Sequence, residues 1–361
     1  MRAFLRYYRT EHRWLLADAA VLAAFFALRG NKTLMDAFSR RIVMPVERFW
    51  GRVCSFLPFS VGELLYALAI LSALFWLVWA VRFFRRSEYK REAVYTALIR
   101  LVCALATVYA AFCLLWGVNY YAGDFCDRSG IYPRQSTVEQ LQQLTQFFAD
   151  RANESAPLVR RAADGCFAES RGDILAAAPE IYAPSYEEFP FLALRGDYAP
   201  KKMRFSRLMS AMNFTGFYCP FTGEPNVNMD FPADQLPATV AHELAHRRGI
   251  ASEQQCNFVA ILVCTRSGKP AYVYSGYLMG FIHLSNALYT ADRERWREVC
   301  YTLSDEVRAD LNKANEYWAQ FEGKTAEVSG RVYDTMLRSY DQALGMRSYG
   351  AVVDLLAAYY G

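Results

Sequence analysis

Of the four histidines in this 361-residue chain, two stand four residues apart with a glutamate between them: His242, Glu243 and His246. They lie in the run LPATVAHELAHRRGIASEQQCNFVAILVC, from Leu236 to Cys264. On a helix, residues i and i+4 share a face, so both imidazoles can reach one metal ion. Glu243 projects beside that ion rather than onto it, where a carboxylate can take a proton from activated water. A surface helix with two solvated histidines is the plain alternative. However, Val240, Ala241, Leu244 and Ala245 make this helix apolar, and a buried imidazole pair needs partners that a metal supplies. The H-E-x-x-H spacing therefore implies metal-assisted hydrolysis with Glu243 as general base.

A catalytic zinc ion normally takes three protein ligands and leaves one position open. Glu253 is the nearest carboxylate after His246, and a turn at Gly249 would bring its helix back beside the first. Asn257 lies one turn further on the same face, placed to hydrogen-bond a ligand from behind. The expected centre is one Zn²⁺ held by His242, His246 and Glu253. Three competing readings stay open. Glu253 can be a solvated first-turn residue favoured by the helix dipole. Glu224 can reach in from a preceding strand, or the Cys256 thiolate can ligate from another side of the helix.

The elements that must position these groups carry their own signals. Pro237 suits a first helical turn and Gly249 a helix end. Ser252 with Gln255 has the spacing of a capping box. Phe214–Met229 reads as two extended pieces around a Pro220–Gly223 turn, the second, Glu224–Met229, leading into the metal helix. Ser136 with Glu139 predicts a helix to about Arg151, and Gly172–Ala183, Met203–Met212 and Val332–Tyr360 also read as helical. Tyr272–Tyr289 is apolar enough to raise the question of a further span, but it lacks close basic anchors and reads as core helix. His283, inside it, is first a satisfied core residue and second a donor to a developing oxyanion. No cysteine spacing demands a disulfide.

Hydrophobic residues make up 54% of the chain and aromatics 16%, high for a soluble protein. Three apolar runs in the first third account for this: 14–28, 64–81 and 101–121. Crossing a bilayer core of ~30 Å takes roughly 20 apolar residues. The first run is short and follows four arginines, as a signal peptide would, but no small-x-small site follows it, and it reads as a retained span. Trp116, Tyr120 and Tyr121 form an aromatic girdle at the end of the third. Residues 1–100 hold 16 Lys+Arg against 7 Asp+Glu, a net of +9 in a chain of net +4, so residues 101–361 carry −5. The basic part belongs beside anionic lipid, and nothing points to nucleic acid. The expected organisation is a membrane anchor over 1–122 and a catalytic domain over 123–361. Arginine asymmetry puts that domain outside the cytoplasmic membrane, against the vote of six basic residues in the 29–52 loop.

Three stretches carry a resemblance: HELAHRRGIASEQQCNF, FYCPFTGEPNVNMDFP and the late GMRSYGAVVDLL. Together they resemble an uncharacterised family of bacterial multi-span membrane proteins, a domain of unknown function placed among the zincin-like metallopeptidases. The run from Glu253 to Asn257 is also similar to the E-x-x-A-D run of membrane zinc peptidases, with Cys256 and Asn257 replacing the Ala and Asp. The resemblance implies a mostly helical, zincin-like α+β domain with a small sheet, and a peptide or protein substrate. It further implies a substrate-binding edge strand carrying Glu224, Asn226 and Asn228, and it makes Tyr349 a candidate transition-state stabiliser comparable with His283. Two other readings remain: a non-catalytic zinc-binding membrane protein serving as sensor or structural element, and a zinc amidase acting on cell-wall peptides.

Overall fold

A computed structural model describes residues 6–340 and 349–361. The chain is mostly helical, with one small three-stranded sheet. Its N-terminal third is built on α1 (Arg9–Leu28), α4 (Val61–Arg86) and α5 (Lys90–Leu115). Helices α4 and α5 are long and apolar enough to cross a membrane, and the apolar window of α4 has no residue buried against the rest of the chain. Helix α1, which contains the 14–28 run, packs along α5. The Tyr8 hydroxyl meets Thr96 Oγ1 at 2.7 Å, and the Thr107 hydroxyl donates to Asp18 at 2.8 Å. The one acid in the first apolar run thus has a partner.

The boundaries differ from those the sequence predicts. Helix α5 begins at Lys90 rather than near 101, because Arg100 does not interrupt it: the guanidinium pairs with Glu11 at 3.7 Å and lies over Trp79. The helix stops at Leu115, and Gly117–Tyr120 forms a 3₁₀ turn. Trp116 is buried against Tyr218 rather than left to a membrane-interface belt. The predicted 29–52 loop is helical: α2 (Lys32–Phe38), a π turn over Ser39–Val43, and α3 (Met44–Ser55). Helix α3 packs into the globular part, where Glu47 meets Tyr218.

In the globular part, α6 (Val138–Ser155) is capped by the Thr137–Gln140 box, one residue beyond the predicted Ser136–Glu139 pair. The sheet is ordered β1 (Lys201–Lys202), β3 (Glu224–Val227), β2 (Gly216–Cys219), with β1 parallel and β2 antiparallel to β3. The core is α7 (Leu236–His246), α8 (Glu253–Arg266) and α9 (Pro270–Ala291). Phe258–Cys264 of α8 is wholly buried, as expected of a helix that is apolar all round. Helix α9, with Tyr272, Tyr274, Phe281 and Leu284 buried, is core rather than a span. Gly280 admits α6, since a Cβ there would stand 2.3 Å from the Phe148 ring. Helices α10 (Lys324–Ser339) and α11 (Tyr349–Tyr360) complete the chain.

Candidate metal centre

The metal helix α7 starts with Pro237 in its first turn and ends at His246. Gly249 then takes a φ of +79°, a left-handed conformation that glycine adopts without cost and that reverses the chain into α8. Two buried arginines fix this turn. Arg247 and Arg248 both pair with Asp197, while their guanidiniums lie 3.5 Å from the ring centres of Tyr198 and Tyr182. Ser252 occupies the cap position of α8 but makes no capping bond. The predicted box does not form because Gln255 is used elsewhere: its oxygen accepts from Phe125 N–H at 2.9 Å and its amide donates to Asp124 at 2.6 Å.

The reversal sets Glu253 opposite both histidines. His242 Nε2 lies 3.1 Å from Glu253 Oε2, and His246 Nε2 lies 3.5 Å from Oε1. Ligand atoms of a tetrahedral ion with bonds of ~2.0–2.1 Å stand roughly 3.3 Å apart, so these separations match one ion among the three groups. The far side of each ring is occupied. His242 Nδ1 lies 2.7 Å from Asn257 Oδ1, and His246 Nδ1 donates to the Ile250 carbonyl at 2.8 Å. With Nδ1 of each ring engaged on its far side, Nε2 is the nitrogen that faces Glu253. Burial notwithstanding, the two imidazoles hold Glu253 well below the usual carboxylate range, so it stays ionised.

His242, His246 and Cys256 also bring ligand atoms within 4.8 Å of one another and could hold a metal ion. The thiol, however, sits behind His246. It is 3.3 Å from Nδ1 and donates to the same Ile250 carbonyl. Burial pushes its pKa up to about 11, against the pull of His246.

Glu243 is 3% exposed, and its Oε2 has no hydrogen-bond partner among the described residues. Burial pushes its carboxyl up to about 7, against the charges of His242 and His246. It leans on strand β2 at Gly216. His283, on α9, lies within electrostatic reach of His242, and burial pushes its pKa down to about 4. Tyr349 opens α11, but its side chain falls outside the described residues.

The substrate-strand assignment needs correction. β3 is the inner strand of the sheet, and Glu224, Asn226 and Asn228 are fully buried. Glu224 accepts from the Val61 and Gly62 N–H groups at 3.2 and 2.8 Å, capping the start of α4. Asn226 Oδ1 accepts from the Ser60 hydroxyl at 2.6 Å, and the Asn228 amide donates to Ser210 Oγ and the Phe214 carbonyl. These side chains join the sheet to its neighbours. β2 is the edge strand beside the site, and Glu224 is too committed to be a metal ligand.

Sequence reasoning missed three groups around the centre. The Trp116 ring meets His246 edge-on at 5.6 Å, Tyr218 lies 6.5 Å from it, and the Tyr333 hydroxyl donates to Glu253 Oε1 at 2.6 Å. Trp116 offered only a membrane-belt signal, and Tyr333 none, being 80 residues from Glu253.

No curated protein and no solved structure matches this chain. The profile that does match is described only as a protein of unknown function, DUF3810, and runs over residues 38–357, from the π turn through α11 and including every group at the centre. The chain thus belongs to the DUF3810 family.

Proposed function

We propose that this protein is a membrane-anchored, zinc-dependent peptidase of zincin-like type. The observation that carries the reading is the placement of the Glu253 carboxylate 3.1 and 3.5 Å from the two histidine Nε2 atoms, with Glu243 Oε2 lacking a hydrogen-bond partner among the described residues. The donor set of two imidazoles and one carboxylate suits zinc in a hydrolytic site. A divalent ion held there would lower the pKa of water and polarise a carbonyl. Glu243 Oε2 is the atom free to take the water's proton, and the same carboxyl would return it to the nitrogen of the leaving amine. Neutral His283 offers a donor near His242 for charge building on the carbonyl oxygen. The Glu253 and His242 side chains keep 22% and 14% of their surface exposed.

Helices α4 and α5 support a multi-pass anchor in the cytoplasmic membrane, and the charge asymmetry supports an extracytoplasmic globular part. Glu243 argues against a purely structural or sensing metal site, which needs no base. An amidase acting on cell-wall peptides would use the same groups, and only the substrate separates the two.

The test is metal analysis of detergent-purified protein, followed by peptide-library cleavage with and without chelator. Glu243→Gln should keep its metal and lose hydrolysis. Residual activity within about tenfold of wild type on an identified substrate would sink the mechanism, since general base catalysis contributes typically 10²–10⁴-fold.

A further inference from the structure

Helix α3 has three faces. Met44, Glu47, Gly51 and Cys54 are buried in the globular part. Glu47 Oε2 accepts from the Tyr218 hydroxyl at 3.3 Å, and a Cβ on Gly51 would stand 2.5 Å from the Gly223 carbonyl oxygen. On the opposite side, the helix and its flanking turns expose Ile42, Val46, Phe49, Trp50, Val53 and Phe56, with Phe49 at 61%, Trp50 at 50% and Phe56 at 77%. Their spacing keeps all six on one side of a helix. Arg41, in the π turn, and Arg52 are the exposed arginines flanking this face, whereas Arg48 is turned inward toward Arg247 and Arg248. Arg52 lies over the Phe56 ring and donates to the Gly196 carbonyl at 3.3 Å.

A contiguous apolar face backed by a fully packed one is a contact surface. Its place in the chain says what covers it. α3 is followed within a few residues by α4, whose own surface is exposed and apolar from Leu64 onward, and whose first turn is tied to β3. The apolar faces of α3 and α4 therefore meet the same surroundings. Arginines flanking an aromatic-rich apolar face match a helix seated at the level of lipid phosphates.

We infer that α3 lies in the plane of the bilayer surface, its aromatic face among the upper acyl chains and its arginines among anionic headgroups, seating the globular part on the membrane. The inference rests on the membrane-anchored reading above. Glu47 of this helix accepts from Tyr218, whose ring lies 6.5 Å from that of His246.

Fluorescence quenching in nanodiscs of brominated phospholipid tests this with the full chain. The chain has seven tryptophans, so the Trp50 signal is the difference between wild type and Trp50→Phe. Bromines near the headgroup end of the acyl chain should quench that difference signal more than bromines placed deep, and aqueous acrylamide should quench it little. A Trp50 signal untouched by any brominated lipid overturns the inference. If acrylamide reaches it, the face is wet; if acrylamide does not, a second copy or another protein covers it. The same subtraction with Trp76→Phe and Trp79→Phe reports on α4. Quenching there without quenching at Trp50 defeats the α3 inference alone, whereas silence at all three defeats the anchored reading itself.

Discussion

The backbone of Gly216 lies so close to Glu243 that a Cβ on it would stand 2.5 Å from Oε1 and 2.8 Å from Cγ and Cδ. The edge strand β2 is thus the wall that sets where the Glu243 carboxylate stands. Oε1 is confined on that side, which leaves Oε2, with no hydrogen-bond partner among the described residues, as the oxygen able to receive a proton.

Gly216→Ala should therefore displace the Glu243 side chain while leaving both histidines and Glu253 in place. Misplacing a reacting group by about 1 Å can cost roughly 100-fold in rate. The expected result is a fall in kcat of that order with zinc content unchanged by elemental analysis. A Gly216→Ala protein with wild-type turnover would show that Glu243 does not depend on this contact.

The two possible ligand sets make opposite predictions. With Glu253 as ligand, Glu253→Ala should weaken zinc binding by at least the ~10–100-fold typical of lost supporting contacts, and Cys256→Ala should keep the metal. With Cys256 as ligand, the pattern inverts. Competition against a chelator of known affinity measures both. Full zinc occupancy in Glu253→Ala after dialysis against a weak chelator would move the assignment away from the carboxylate.

What the sequence made legible was local. His242, Glu243 and His246 share one helix, and Glu253 and Asn257 lie one glycine turn away, so helical spacing alone brings these groups together. The two strands around the Pro220–Gly223 turn were legible as extended pieces, but their order in the sheet was not, because a strand of four residues carries no signal for its place in the strand order. Glu224 thus looked like a residue lining the site, although it caps α4. The 29–52 segment read as a basic loop because the π turn at Ser39–Val43 breaks the 3.6-residue period on which helix recognition depends. Tyr333 reaches Glu253 from a separate helix, and no pattern within a window of sequence links the two.

Asp234 supplies a test of pH dependence away from the metal. It precedes α7, is 4% exposed, and its Oδ2 has no hydrogen-bond partner among the described residues. Burial, reinforced by Asp310, pushes its carboxyl up to about 7. An acid whose pKa is raised by folding binds more protons in the native state than in the unfolded one. Its contribution to stability therefore falls as pH rises from about 4 toward 7, by at most a few kcal/mol. Asp234→Asn removes that titration. Relative to wild type, its thermal midpoint should rise as pH goes from 5 to 8; parallel midpoints across that range would show that Asp234 is not titrating there.

Tyr333 offers the sharpest test of how Glu253 is held. Helix α10 otherwise buries only Leu337 among its described side chains, yet it sends this hydroxyl to Glu253 Oε1 at 2.6 Å. Burial and the neighbouring Glu253 charge hold the Tyr333 pKa well above its ordinary value, so the hydroxyl remains a donor. That hydrogen bond fixes the rotation of the carboxylate that faces both imidazoles. In Tyr333→Phe the ring keeps its edge-on contact with Phe214, at 5.5 Å between centres, and only the hydrogen bond is lost. Zinc affinity should fall about 10-fold, the lower end of what such supporting contacts contribute, with no change in thermal stability of the metal-free protein beyond ~1 kcal/mol. If chelator competition finds the same affinity in Tyr333→Phe as in wild type, α10 merely covers the site, and the orientation of Glu253 is set by the histidines alone.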